Sequence, residues 1–359
     1  MALSPEAFTW VADLVRRRSA IQLQPGKEYL VESRLLPLAR ELTGGDVDAY
    51  VARARTSEPE HGRIVEALTT NETSWFRDSS PFTALRTHVL PQLVAARGHA
   101  ARLRVWSAAC STGQEPYSLA MTLTDALPPG LSFEILATDL SEQVLARART
   151  GRYSQLEVNR GLPAPLMVRY MTRAGAEWQI ADALRQCITF RSHNLLDPAP
   201  AGAKFDIVFL RNVLIYFDTA TKKAILDRVH RVLAADGALV LGAAETTIGI
   251  DDKWQRVPVG AGSVYVPARA GAGPALPAPR PAPAQAGLPL PRTALGGPPS
   301  GSGSTLAAGA GARALAGGGT TLRPALGGTT STAGAPGTRP TLSSLRPAAA
   351  APLSRPAPA

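Results

Sequence analysis

The sequence predicts an α/β fold in which a doubly wound parallel sheet follows an all-α N-terminal domain and precedes a disordered tail. Three observations support this prediction. Apolar residues recur at helical spacing up to about residue 75, strand-like and helix-like segments alternate from about residue 80, and residues 267–359 consist mainly of Ala, Pro, Gly, Ser and Thr. We therefore predict domains at residues 1–75, 76–266 and 267–359.

The N-terminal domain begins with a helix whose start is defined by its capping residues. Ser4 is suited to the N-cap and Pro5 to the first helical position, and apolar residues then follow at helical spacing. A second helix is predicted from Gly26 to Leu42, with the pair Gly44-Gly45 as its stop. Two shorter helices are predicted near residues 47–56 and 59–70.

The central region alternates strands and helices, and this pattern is typical of a parallel sheet covered by helices on both faces. The predicted strands are RLRVWS, LSFEILATD, FDIVFLRN, GALVLGAA and SVYVP. The predicted helices run from Gly113 to Ala126, Ser141 to Arg149 and Thr219 to Leu233. An irregular insert at about residues 153–190 contains EWQI and CITF, which we interpret as short strands of that insert.

Charge and composition exclude several classes of protein. Of the formal net charge of +10, eight arginines beyond residue 267 account for +8, which leaves +2 for the remainder. A nearly neutral body with 6% aromatic residues does not suit nucleic-acid binding. Up to residue 70, nine basic residues face ten acidic ones, so a basic patch and an ordinary solvated surface both stay open. Two cysteines and five histidines without ligand spacing predict no metal site.

The same survey predicts a cytoplasmic protein with no direct membrane insertion, because no run approaches ~18 apolar residues and the N-terminus does not read as a secretory signal. The tail lacks the apolar side chains needed to offset its ordering entropy, so we expect it to be disordered. Its spaced prolines and arginines leave two alternatives open. The tail is either a solvated appendage or a tether for a partner that recognises proline-rich or basic segments.

The loop after the first central strand predicts the kind of ligand. Residues 107–115 read SAACSTGQE, which places small residues where a strand meets a helix, as in a phosphate-binding loop. However, Gly113 is the only glycine, and Glu115 would repel a pyrophosphate at the helix start. Ligands of such sheets bind beyond the carboxyl ends of the strands, so Asp139 and the pair Arg211-Asn212 belong to the same candidate site.

Asp139 ends the second strand, 24 residues after Glu115, where a carboxylate can accept hydrogen bonds from both hydroxyls of a ribose. A ribosyl ligand without phosphate and with a cationic end fits both acids, and S-adenosylmethionine is such a ligand. An alternative stays open for Asp139, since Ser141 follows it and the acid could simply cap the next helix.

Five segments in order resemble the chemotaxis receptor glutamate methyltransferases, the CheR family. They are ALTTNETSWFRD (67–78), RVWSAACSTGQEPYSLAM (104–121), ILATDLSEQVLARARTGRY (135–153), HNLLD (193–197) and FDIVFLRNVLIYFD (205–218). The resemblance covers about residues 5–266, and the tail has no counterpart in it. It implies a Rossmann-like, S-adenosylmethionine-dependent methyltransferase domain after an all-α domain, with a small antiparallel subdomain in the 153–190 insert.

The resemblance also implies roles for individual positions. Arg77 and Tyr216 are the expected catalytic residues, with Arg77 also contacting the cofactor. Asn194 and Leu195 are expected at the edge and face of the adenine. The full set of expected cofactor-binding residues is Asn71, Thr73, Arg77, Glu115, Asp139, Asn194, Leu195, Arg211 and Asn212.

The implied reaction converts glutamate side chains on the cytoplasmic helices of chemoreceptors into methyl esters. A glutamate carboxylate has a pKa near ~4.3 and is ionised at neutral pH, so no general base is required. Arg77 could hold that carboxylate and Tyr216 could line the methyl path. Two plainer alternatives stay open, a surface ion pair between Arg77 and Asp78 and a core position for Tyr216.

The expected partners are chemoreceptor cytoplasmic domains and a possible protein that binds the tail. We expect the enzyme to be a monomer that is recruited to receptor arrays. Some family members dock a receptor's C-terminal pentapeptide on the small subdomain, but the connecting turns of this insert are short, so we expect independence from the pentapeptide. Alternatives of other classes are a methyltransferase acting on RNA or a small molecule, and a non-catalytic cofactor-binding adaptor that recruits a partner through its tail.

Overall fold

The computed structural model describes residues 3–97 and 102–268, which all fall within one compact unit. The predicted tail therefore lies, beyond Ala268, outside the described residues. The helices are α1 Pro5–Ser19, α2 Glu28–Thr43, α3 Val47–Ala54, α4 Glu58–Leu68, α5 Ser80–Ala84, α6 Leu90–Arg97, α7 Gln114–Ala126, α8 Glu142–Thr150, α9 Gln155–Asn159, α10 Ala164–Tyr170, α11 Asp182–Arg185 and α12 Thr219–Val232. The strands are β1 Arg102–Ala108, β2 Ser132–Asp139, β3 Arg152–Ser154, β4 Met171–Ala174, β5 Glu177–Ile180, β6 Ile188–Ser192, β7 Phe205–Leu210, β8 Leu233–Leu241, β9 Trp254–Val259 and β10 Gly262–Pro267.

Helices α1 to α4 enclose their own apolar core, as the helical spacing predicts. The Ser4 hydroxyl caps α1 by accepting a hydrogen bond from the Ala7 N–H at 3.3 Å, and Gly44 ends α2 in the left-handed region at φ 65°. Helix α2 begins at Glu28, two residues later than predicted, because Gly26 takes a φ of 85° that an α-helix does not contain. The α1–α4 core contains Val11, Val15, Val31, Leu35, Tyr50 and Ile64, among others.

Strands and helices alternate along the main sheet in the predicted way. Its order is β6-β2-β1-β7-β8-β10-β9, with β1, β2, β6, β7 and β8 parallel and β10 antiparallel to β8. All six residues of β7 are buried, which explains why five of them are apolar. The strand order reverses between β1 and β7, and this switch point is where doubly wound sheets open a ligand cleft.

One of the two strands that we assigned to the insert belongs instead to the main sheet. EWQI is strand β5 of a three-stranded antiparallel sheet, β3-β5-β4, but CITF contributes to β6, which pairs in parallel with β2 at the edge of the main sheet. The strands of the small sheet thus end at Ile180. A short apolar run predicts a strand without predicting its partner, because pairing depends on segments far away in sequence. Helices α5 and α6, with a single π-helical turn at Leu85–Val89 between them, were also not predicted.

The described residues contain no helix that is long and apolar enough to cross a membrane.

Candidate functional site

A cleft of about 910 Å³, including its open mouth, lies at the carboxyl ends of β1, β2 and β7. All ten residues proposed from the sequence line it, although they come from five separate segments of the chain. The structure therefore brings the whole predicted set together. These residues are Asn71, Thr73, Arg77, Glu115, Asp139, Asn194, Leu195, Arg211, Asn212 and Tyr216.

The loop between β1 and α7 takes an unusual backbone path on one wall of the cleft. Ala109, Ser111 and Gly113 have φ angles of 67°, 50° and 96°, in the left-handed region that residues other than glycine rarely adopt. A Cβ on Gly113 would lie 2.9 Å from both the Ala148 Cβ and the Tyr153 hydroxyl. The small residues of SAACSTG thus satisfy a backbone and packing requirement of the protein itself.

The backbone N–H groups of this loop are directed into the protein. The N–H of Ser111 donates to the Asp139 carboxylate at 2.8 Å, and those of Cys110 and Gly113 donate to the carbonyls of Thr138 and Cys110. These three N–H groups are therefore already paired within the protein. Their use also argues against phosphate binding, which depends on such donors.

Asp139 is a buried carboxylate that joins two loops at the end of β2. One oxygen accepts the Ser111 N–H, and the other accepts the Ser141 N–H at 3.0 Å. Helix α8 is capped by the Ser141 hydroxyl, which accepts from the Val144 N–H, so the alternative that Asp139 is the N-cap is wrong. Burial raises the pKa of Asp139, and its backbone hydrogen bonds partly counteract that shift.

Glu115 is paired with Arg211 across the cleft wall. The Glu115 carboxylate accepts from the Ser107 hydroxyl at 2.8 Å and from the Arg211 guanidinium at 2.9 Å. The second terminal nitrogen of Arg211 donates to the Arg77 carbonyl at 2.7 Å and to Asp78 at 2.8 Å. Burial raises the pKa of Glu115, while the Arg211 charge opposes the rise. The sequence alone did not reveal that Glu115 already has this protein partner.

Arg77 projects from the 71–79 loop, where Phe76, Asp78 and Ser79 have φ angles of 47°, 66° and 40°. Its guanidinium donates to the Glu72 carbonyl at 2.9 Å, and among the described residues it forms no ion pair. The alternative of an Arg77–Asp78 surface pair is therefore wrong, because Asp78 is bound to Arg211. Asn71 and Thr73 line the same wall, and the Asn71 carbonyl accepts from the Ser111 hydroxyl at 2.7 Å.

The opposite wall comes from the segments after β6 and β7. The Asn194 amide donates to the Arg18 carbonyl at 2.7 Å, and Leu195 packs on the core beside β7. Tyr216 ends a single 3-10 turn, Leu214–Tyr216, and is only partly buried, so it is not a fully enclosed core residue. Its carbonyl accepts from the Gln22 N–H at 3.3 Å.

Sequence reasoning missed several parts of this wall. Ser19, the last residue of α1, and Ile21, which follows that helix, close one side of the cleft. His193 also lines it, with its ring edge against Trp106, and burial lowers the pKa of the imidazole. Glu245 lies beneath the wall and accepts hydrogen bonds from the backbone after β7. A polar residue after a strand, as in GAAETT, is the signal that could have pointed to Glu245.

The charged residues that line the cleft can be compared with the charges of S-adenosylmethionine. Three acids, Glu72, Glu115 and Asp139, face two bases, Arg77 and Arg211, and Arg211 is held by Glu115 and Asp78. A net negative lining suits a sulfonium and an ammonium, and it disfavours a pyrophosphate. Within the described parts of the chain no group of acids, histidines and cysteines could hold a metal ion.

Comparisons with known proteins agree with this chemistry. The family model described as "CheR methyltransferase, all-alpha domain" matches residues 6–69, and "CheR methyltransferase, SAM binding domain" matches residues 71–261. Chemotaxis protein methyltransferase 1 of Pseudomonas aeruginosa is 41% identical over 258 residues, which are 70% of this chain and 94% of that protein. The chemotaxis protein methyltransferase of Salmonella typhimurium is 36% identical over 257 residues, 68% of this chain and 85% of that protein. The chain is an enzyme that uses S-adenosylmethionine and belongs to the CheR methyltransferase family.

Proposed function

We propose that the enzyme transfers the methyl group of S-adenosylmethionine to glutamate side chains on the cytoplasmic helices of chemoreceptors, at receptor arrays in the cytoplasm. The observation that carries this proposal is the convergence of all ten expected residues on one cleft, with the Arg77 guanidinium paired to no carboxylate of the described chain. The named relatives, which are chemotaxis protein methyltransferases, support the same substrate.

The residues around the cleft divide the work of binding. Asp139 and Glu115 both line the cleft. Asp139 would accept from ribose hydroxyls, and Glu115 would contribute negative charge next to a cationic end. Asn194 and Leu195 would hold the adenine. Bound S-adenosylmethionine supplies an electrophilic methyl group on its sulfonium. Because the acceptor carboxylate is already ionised, the protein needs only to orient and partly desolvate it, and orientation alone is worth several kcal/mol, on the order of 7 or more in favourable cases.

The acceptor has its own approach to Arg77. A second, more open groove shares Ser74 and Arg77 with the cleft and continues past Trp75 to Arg160 and Pro163; its volume, open solvent included, is about 1040 Å³. Arg77 therefore lies where the two cavities meet. This position supports a role in which its guanidinium holds the acceptor carboxylate in a charge-assisted fork while Tyr216 lines the methyl path.

Methyl transfer to receptor-containing membranes tests the proposal. With tritiated S-adenosylmethionine, we expect base-labile counts in the receptor, the signature of a methyl ester. Base-stable counts would mean another product, and no counts with intact cofactor binding would mean a non-catalytic adaptor.

Arg77→Ala is expected to lower kcat by about 100-fold or more, because the acceptor loses its fork. Arg77→Lys should recover only a small part, since a lysine cannot form the planar pair. Arg160→Ala, in the outer groove, is the matched control and should affect KM more than kcat. Near-normal transfer by folded Arg77→Ala would remove this residue from the mechanism.

We further propose that the enzyme does not depend on a receptor pentapeptide. Strands β4 and β5 are joined by a two-residue turn, Gly175-Ala176, which leaves little loop for docking a peptide. Calorimetric titration with a peptide of the receptor's C-terminus should show no binding up to millimolar concentration, and micromolar affinity would overturn the proposal.

A further inference from the structure

Glu245 is a buried carboxylate to which neither the expected site nor the mechanism above gives a role. It is 8% exposed and lies at the end of a turn that follows β8. Its Oε2 accepts from the N–H groups of Asn212 at 2.8 Å and Gly242 at 2.7 Å. Its Oε1 accepts from the N–H groups of Val213 at 2.9 Å and Leu214 at 2.7 Å. One carboxylate thus binds the whole backbone segment that leaves β7.

That segment carries two of the expected site residues. Asn212 has a φ of 57°, in the left-handed region, where it costs on the order of 1 kcal/mol unless its surroundings hold it. Leu214 then begins the 3-10 turn that ends at Tyr216. The first N–H groups of such a turn have no partner within it, and the Glu245 carboxylate supplies one.

The turn that carries Glu245 is shaped to bring the carboxylate this close. A Cβ on Gly242 would lie 2.7 Å from the Glu245 Oε2 and 2.8 Å from the Asn212 side-chain nitrogen. No side chain larger than hydrogen fits there without displacing the carboxylate or Asn212. The Tyr265 hydroxyl donates to the Glu245 carbonyl at 3.4 Å and fixes the other side of the residue.

We propose that Glu245 is a positioning residue for methyl transfer, which holds the 212–214 backbone so that Tyr216 faces the reacting methyl group and Asn212 faces the cofactor. The inference rests on the proposed function, because Glu245 acts through residues of that site. It adds a specific structural cause for their orientation. It also assigns a function to a charge that is otherwise expensive to bury.

The donor and acceptor atoms at position 245 determine the expected effect of each substitution. Each carboxylate oxygen accepts two N–H groups, whereas a glutamine offers one oxygen and one NH₂ donor. Glu245→Gln therefore directs a donor at two N–H groups and disrupts half of the contacts whichever way the amide is turned. Glu245→Asp keeps four acceptor sites but draws them back by one methylene, so it should recover part of the lost activity.

A double-mutant cycle with Tyr216→Phe tests the proposal. Glu245→Gln should lower kcat by about 100-fold in the natural sequence. In Tyr216→Phe it should lower kcat by less than about 5-fold, because the turn then carries no tyrosine hydroxyl that must be positioned. Circular dichroism and urea unfolding report in parallel whether each variant is folded. If Glu245→Gln does not fold, the comparison is made with Glu245→Asp. For this variant we expect kcat to fall by about 10-fold in the natural sequence and by less in Tyr216→Phe.

Asp206→Asn is the matched control. Asp206 is also buried, at 5% exposure, and accepts a backbone N–H, that of Arg104 at 2.8 Å, but it lies near the start of β7, away from the cleft. This variant should lose stability and keep kcat within about threefold. Equal losses from Glu245→Gln in both Tyr216 backgrounds, or an unchanged kcat, would overturn the inference. Absence of transfer by the natural protein would instead refute the proposed function.

Discussion

The Arg211 side chain is fixed by three partners, and its position links the two halves of the cleft. One terminal nitrogen binds Glu115 and the other binds Asp78 and the Arg77 carbonyl, while the guanidinium lies 5.7 Å from the centre of the Phe82 ring. Removing one partner of a buried ion pair costs about 3–5 kcal/mol, because the other charge stays buried without compensation. Arg211 thus contributes to the site by orienting Glu115 and the 71–79 loop.

The raised pKa values of Glu115 and Asp139 predict how cofactor affinity depends on pH. Burial is the main cause in both, so each holds its proton to a higher pH than an exposed carboxyl does. The ionised carboxylates attract a cation, and they accept hydroxyl donors more strongly than protonated carboxyls do. Affinity for S-adenosylhomocysteine should therefore fall as the pH decreases through the pKa values of Glu115 and Asp139. Each of the two carboxyls contributes a decrease of up to about tenfold per pH unit.

Calorimetric titrations with S-adenosylhomocysteine between about pH 4.5 and 8 measure this dependence. Glu115→Gln should bind more weakly throughout and show a shallower slope. Unfolding does not explain the expected loss, since a carboxyl with a raised pKa in the folded state stabilises the fold below its unfolded pKa and loses that contribution as the pH rises. Affinity independent of pH over this range would contradict the assignment of both acids.

At the level of elements, side chains from β2, β3 and α4 hold the loop from β1 to α7 and the start of α8. The Tyr153 hydroxyl, from β3, donates to the Thr112 carbonyl at 2.8 Å, and Asp139, from β2, holds Ser111. The Glu66 carboxylate of α4 accepts from the Ser141 hydroxyl and the Gln143 N–H, both at 2.7 Å, and so holds the start of α8. The small sheet, the main sheet and the helical region therefore each position part of the cleft.

Gly113→Ala should destabilise the protein by about 2–4 kcal/mol, because a methyl group would meet the Ala148 Cβ and the Tyr153 hydroxyl at 2.9 Å in a backbone with φ 96°. Gly175→Ala is the control, since its φ of 66° is also left-handed but no heavy atom lies within 4 Å of the added group. That variant should lose only about 1 kcal/mol. Urea unfolding measures both, and equal losses would show that contact with Tyr153 and Ala148 is unimportant.

For the molecule as a whole, the helical region contributes directly to the cleft. The Arg18 and Tyr216 carbonyls accept from Asn194 and Gln22 across the junction between the helical region and the sheet, and Ser19 and Ile21 line the cavity. The two family matches, which together span residues 6–261, cover all of these contacts. All ten residues of the proposed site therefore lie before residue 269.

A chain shortened to residues 1–268 should accordingly keep kcat within about twofold of the full chain. If the tail tethers a partner, its loss would raise the KM for receptor-containing membranes without changing kcat. Steady-state methyl transfer with the two chains separates these effects. A fall in kcat of about tenfold or more would show that the tail takes part in catalysis.

The sequence predicted the main fold and ten of the residues that line the cleft, because polar residues at strand ends and five ordered motifs are local signals. It could not predict contacts between distant segments. Arg211 binds Glu115, 96 residues away in sequence, and Glu245 binds Asn212, 33 residues away. Contacts at such separations produce no periodic pattern in the sequence. The pairing of β6 with β2 and the closure of the cleft by α1 were missed for the same reason.

The location of Arg77 between the cleft and the outer groove also has a kinetic consequence. If donor and acceptor occupy cavities that meet only at Ser74 and Arg77, they approach the reacting carbon from different sides. Neither ligand then blocks the other's exit, so the spent donor can be exchanged while the acceptor protein stays engaged. Such an enzyme is expected to modify several glutamates of one receptor during a single encounter.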